Sequence, residues 1–169
     1  MNDIENDVEW AIICDTDEFF VPRQDANLPD LLKRYPYAAE ISFSWRCFGT
    51  SGVQHIPQNK TMIEILRNST TKMETSIKSI VRPRCGVRSY QHTVELWPGY
   101  LWVLGDGRPF PYHPEVPRFI PQGAKNREMV PEVMDYFKHN SLNKHYDTGA
   151  EVYHYIWRDE KFFWDVKSK

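Results

Sequence analysis

The stretch WAIICDTDEFF, residues 10–20, runs from a continuous apolar segment straight into three carboxylates, Asp15, Asp17 and Glu18, then turns apolar again at Phe19 and Phe20. An apolar run bounded by charge predicts a short strand, Trp10 to Cys14, buried on both faces. Such a strand needs neighbours and covering helices, so this stretch points to a layered α/β domain with the strand near its centre. The carboxylates then fall at a strand end, where open α/β sheets place their ligands. In an extended segment residues two apart point the same way, so Asp15 and Asp17 are expected to project together. The charge block is either a solvated turn or a seat for Mn²⁺ or Mg²⁺, which take hard oxygen ligands.

The rest of the chain supports a mixed α/β reading. EISFSWRCF, residues 40–48, alternates, with Ile41, Phe43, Trp45 and Cys47 facing one way and Glu40, Ser42, Ser44 and Arg46 the other. SIKSIVRP predicts a strand ended by Pro83, and GVRSYQHTVEL and GYLWVL predict two more around a turn at Trp97-Pro98-Gly99. GAEVYHYIW predicts a final strand. Asn27-Leu28-Pro29 reads as a helix start with proline in the first turn, leading into DLLKRY. TMIEILR predicts a short helix, NREMVPEVMDYFKHN a longer one, and RDEKFFWDVKSK a closing amphipathic helix. Between Gly105 and Gln122 five prolines, Pro109, Pro111, Pro114, Pro117 and Pro121, predict an ordered loop or lid. The strands and helices interleave, which predicts an α/β domain with a mixed sheet.

Bulk properties narrow the partners. With 169 residues the chain fits one domain with a real core. A formal charge of −2 and a pI near 6.3 lack the basic footprint of a nucleic-acid binder. No apolar run reaches the ~18 residues of a membrane span, and the acidic start MNDIENDVEW does not resemble a secretory signal. Three cysteines, Cys14, Cys47 and Cys85, show no CxxC spacing, so they predict reduced thiols and a cytoplasmic protein. Aromatics at 14% suit either a tryptophan-rich core or a sugar-stacking surface.

Several segments together resemble the GT-A-fold glycosyltransferases of the family 2-like group, and within it the family 92 type. EWAIICDTDEFFVP resembles that group's D-x-D strand, and FSWRCFGTSG its W-x-x-F-G-x-x-G segment. SIKSIVRP resembles its K-S-I-V-(R/K)-P strand, YQHTVEL its histidine-containing strand, and VYHYIWRDEKFFWDVKSK its closing H-Y element. The matches keep their order over residues 9–167. The resemblance implies a transferase that moves a sugar from a nucleotide-sugar donor to a glycan or other hydroxyl acceptor. It implies that Asp15, Asp17 and His154 meet a divalent ion bridging the diphosphate, and that Glu18 lies near the donor sugar or anchors the loop. It also points to Lys78, Arg82 and Arg158 as phosphate or acceptor contacts. Lys167 shares that ambiguity. The serine that the family carries near the chain end is Asp159 here, which suits a helix start better than a phosphate contact.

An inverting transfer needs a base beside the acceptor hydroxyl. His92, Glu95 and Asp106 qualify by type, and His92 ranks first because an imidazole already titrates near neutral pH. Trp45 shares its face with Ile41 and Phe43, which favours a core role over a stacking platform. Only about 14 residues precede Asp15, too few for the βα units that hold the nucleotide in a GT-A enzyme. The expectation is therefore an N-terminally incomplete domain with weak nucleotide binding, no turnover alone, and an unpaired apolar sheet edge. Two rivals remain. A metal-dependent hydrolase would add Asp106 and His113 to Asp15 and release free sugar. A non-catalytic carbohydrate-binding module would hold glycans in the presence of EDTA.

Overall fold

A computed structural model describes residues 6–71, 73–74, 76–107 and 149–168. The sequence-predicted helix over 126–140, most of the proline-rich segment and His113 lie outside the described residues.

The architecture is a mixed sheet with short helices. The elements in chain order are β1 (Ala11–Ile12), β2 (Glu18–Pro22), α1 (Leu28–Leu32), β3 (Ala38–Cys47), α2 (Met62–Ile65), β4 (Ile77–Val81), β5 (Gly86–Ser89), β6 (Val94–Leu96), β7 (Leu101–Leu104), β8 (Ala150–His154) and α3 (Glu160–Phe162). The helical path of α3 continues as a π-type turn over Phe163–Lys167. The main sheet runs β1-β4-β3-β8-β2, and β7 also pairs with β3. β5 and β6 form a separate hairpin.

The centre of the sheet is β3, not the first apolar run. Its ten residues pair antiparallel with β4 along one edge. Along the other edge they pair parallel with β7 through Ser42 and then with β8 from Trp45 to Cys47. Both of its faces are buried, including the polar one: Glu40, Ser42 and Ser44 are as enclosed as Ile41 and Phe43. The expectation of a central, doubly buried strand at Trp10–Cys14 is corrected accordingly. β1 keeps two residues, pairs only with β4 among the described residues, and leaves Ile12 and Cys14 exposed. Apolar content alone cannot separate a central strand from an edge strand. Here Trp10 is partly buried against the core, with the Arg82 guanidinium 4.0 Å from its ring centre.

GVRSYQHTVEL is likewise two strands rather than one. The Tyr90 amide donates to the Thr93 carbonyl at 2.9 Å and closes a turn there, so His92 sits on that turn. The helix starts follow the sequence reading. Asn27 accepts from the Asp30 amide at the head of α1, and Asp159 accepts from the Phe162 amide at the head of α3.

Alternation and register sort the side chains of the sheet into two faces. Phe43 pairs with Lys78, Trp45 with Val152, and Glu18 with His154, which puts all six on one face. α1 covers one end of that face. Leu31 and Tyr35 pack there with Ile41, Phe43, Ile80, Val103, Ala150 and Val152. The helix does not extend to the other end, where the parallel strands β3 and β8 finish. The charged members of the face gather at that end.

Candidate functional site

Asp15 to Glu18 form a turn, not an extended segment. The Glu18 amide donates to the Asp15 carbonyl at 3.1 Å, and the Asp15 amide donates back to Glu18 Oε2 at 2.8 Å. The Glu18 carboxylate thus closes its own turn. The extended geometry from which Asp15 and Asp17 were expected to project together is therefore replaced by a turn, and each carboxylate has its own neighbour. Asp15 leans toward Lys78, with its Oδ2 3.1 Å from the ammonium, and Asp17 toward His154, with Oδ1 3.8 Å from Nε2. Their side chains are 51% and 22% exposed, so both carboxylates reach water.

Lys78 lies beneath them, 0% exposed. Its ammonium donates to Asp15 and to the Gln91 carbonyl at 3.0 Å, and lies 3.1 Å from Glu18 Oε2. Two hydrogen bonds and the ion pair with Glu18 together hold the ammonium in place. The strand carries the cation inward because Lys78 pairs with Phe43 on the buried face. Charge pairing and hydrogen bonds repay its desolvation.

Two histidines border the cluster, with Trp45 between them at 5.3 Å from the His92 ring and 4.2 Å from the His154 ring. His92 Nδ1 lies 2.9 Å from the Ile77 carbonyl. A carbonyl only accepts, so Nδ1 carries the proton and the neutral ring keeps a lone pair on Nε2. Burial, and then the charge of Lys78, hold the His92 pKa below its ordinary value. Burial likewise lowers that of His154, against the pull of Glu18 and Asp17. Glu18 Oε1 and His154 Nδ1 are both buried without a hydrogen-bond partner.

The structure therefore brings Asp15, Asp17, Glu18, Lys78, His92 and His154 together. Arg82 stays apart. Its Nε donates to the Ala38 carbonyl at 3.1 Å, and its terminal nitrogen pairs with Glu9. Arg158 stacks over Phe162 at 4.6 Å. Asp106 lines a different cleft of about 240 Å³ with Arg34, Tyr35 and Tyr37, and that cleft shares no residue with the cluster. Trp45, read from its alternation as a core residue, does pack on the core and is also the wall joining the histidines. Gln91 escaped sequence reasoning because its backbone carbonyl makes the contact.

The side chains that reach water are hard oxygen donors flanked by an imidazole, a set suited in kind to Mg²⁺ or Mn²⁺. As they stand, no three His, Cys, Asp or Glu side chains among the described residues are drawn into one metal-binding group. No helix among the described residues is long and apolar enough to cross a membrane.

No curated protein matches the chain. The sequence model of glycosyltransferase family 92 matches residues 1–150, which takes in β1 through the first residue of β8 and most of this cluster. The chain belongs to glycosyltransferase family 92.

Proposed function

We propose that this glycosyltransferase moves a hexosyl group from a nucleotide-sugar to an acceptor hydroxyl, with a divalent cation at Asp15 and Asp17. The observation that carries the reading is the pair of water-exposed carboxylates at the carboxyl ends of parallel β3 and β8, backed by a buried ammonium. Mn²⁺ or Mg²⁺ would be held by Asp15, Asp17 and His154. It would supply charge neutralisation for the departing nucleoside diphosphate. Lys78 holds Asp15 and Glu18 in place from below and offsets part of their repulsion.

In an inverting reaction His92 is the base. The Nε2 lone pair takes the acceptor hydroxyl proton as the new glycosidic bond forms and the bond to the diphosphate breaks. Its lowered pKa keeps the ring neutral at pH 7. The test is incubation of the natural polypeptide carrying this sequence with Mn²⁺, an acceptor panel and nucleotide-sugars, read by product mass. The proposal predicts a glycosylated acceptor that EDTA abolishes. Free sugar without transfer would favour a hydrolase, and EDTA-resistant glycan binding without chemistry a binding module.

A further inference from the structure

Glu18 is more deeply placed than a substrate contact would be. Its side chain is 0% exposed, and only one of its two oxygens is used, by the Asp15 amide and Lys78. The other, Oε1, has no hydrogen bond and faces His154 Nδ1 at 4.0 Å, itself buried and unpartnered. A buried polar atom left without a hydrogen bond is destabilising, and here two such atoms lie side by side. The two atoms oppose one another across a 4.0 Å gap, on directly paired residues of β2 and β8.

We propose that Glu18 is the positioning residue for His154: its Oε1 accepts from Nδ1–H, which fixes the tautomer and turns the Nε2 lone pair toward Asp17 and the cation. Lys78 and the Asp15 turn keep the Glu18 carboxylate in place, so one buried side chain orders both sides of the site. Trp45, edge-on to the His154 ring at 4.2 Å, blocks the ring from rotating away. Carboxylates that orient a metal-binding imidazole through its far nitrogen work in this way. The inference rests on the cation reading above and is separable from it.

The test has two arms. In the unsubstituted protein, long-range proton–nitrogen NMR of the His154 ring is expected to show the proton on Nδ1, with no metal added. A proton on Nε2 overturns the inference, whatever the metal affinity. In the second arm Mn²⁺ alone is titrated into wild type and Glu18→Gln. The amide of the variant donates to Nδ1, so the ring proton is expected to move to Nε2 and the Mn²⁺ affinity to fall about 10–100-fold. Unchanged affinity together with an unchanged tautomer in a folded variant overturns the inference. A tautomer that switches as expected in a protein that binds no Mn²⁺ supports the positioning role and sinks the metal reading instead.

Discussion

Two cation–carboxylate pairs on opposite faces of the sheet, Arg46 with Glu151 and Lys78 with Asp15 and Glu18, are finished differently. On the polar face of β3, Arg46 forms a bidentate pair with Glu151 at 2.7 and 2.8 Å and gives a further proton to the Thr70 carbonyl. Glu151 is buried and Arg46 keeps only a small edge to water, with the carboxylate fully engaged by the guanidinium. On the opposite face Lys78 is fully buried, but its partner Asp15 leads outward and is half exposed, and Glu18 Oε1 makes no hydrogen bond to the ammonium. A saturated pair fixes a fold and offers nothing to a ligand. An unsaturated one, with carboxylates open to water, has capacity left for a cation. The difference separates a strut from a site more sharply than charge content does.

The largest expected effect comes from breaking either pair. Arg46→Met leaves Glu151 buried without its main cation and is expected to cost about 3–5 kcal/mol. Lys78→Met strands Glu18 in the same way but lets Asp15 turn to water, so a smaller loss is expected, read by denaturant unfolding. Equal or reversed losses would break the comparison. The next effect separates stability from binding. Asp17→Asn is expected to leave unfolding within ~0.5 kcal/mol of wild type, as at surface sites, while abolishing measurable Mn²⁺ binding by calorimetry.

Glu40 gives a pH signature on the same polar face as Arg46. Burial pushes its carboxyl up to about 8, against the pull of Ser79 and the Val94 amide. The native state then holds a proton that the unfolded chain has released between an ordinary carboxylate pKa and about 8. Stability therefore falls as pH rises through that window, at up to about 1.4 kcal/mol per unit. Glu40→Gln is expected to flatten the slope, measured as melting temperature against pH. A parallel slope in the variant would assign it elsewhere. The smallest effect is Asp159→Ala, which removes the cap of α3 and its bond to the Ile56 amide at 2.8 Å. About 1 kcal/mol is expected from the cap, a shift of ~2–4 °C in melting temperature. No change in Mn²⁺ affinity should accompany it.

How much of this was legible in the sequence depends on range. Alternation located β3, and the helix starts at Asn27 and Asp159 came from local capping chemistry. Asp15, Asp17 and His154 were legible as a motif in order. The turn at Asp15 was not, because it depends on Lys78, 63 positions away, and on a carboxylate that bonds its own chain. Nor was the Arg46–Glu151 pair, whose partners are 105 positions apart. Arg82 just beyond the end of β4 and Lys78 within it look equivalent in sequence, four residues apart. One turns to Trp10 and Glu9 and the other into the interior, a choice made by what packs above them. The apolar run at Trp10 misled because composition reports burial but not position within a sheet.

The most direct test of the contrast is Mn²⁺ titration, read by electron paramagnetic resonance, of wild type, Asp17→Asn and Glu151→Gln. Bound Mn²⁺ is expected in wild type, with its loss in Asp17→Asn while the fold stays intact, and its retention in whatever fraction of Glu151→Gln stays folded. Binding retained in Asp17→Asn and lost in folded Glu151→Gln would contradict the contrast and exchange the roles of the two clusters.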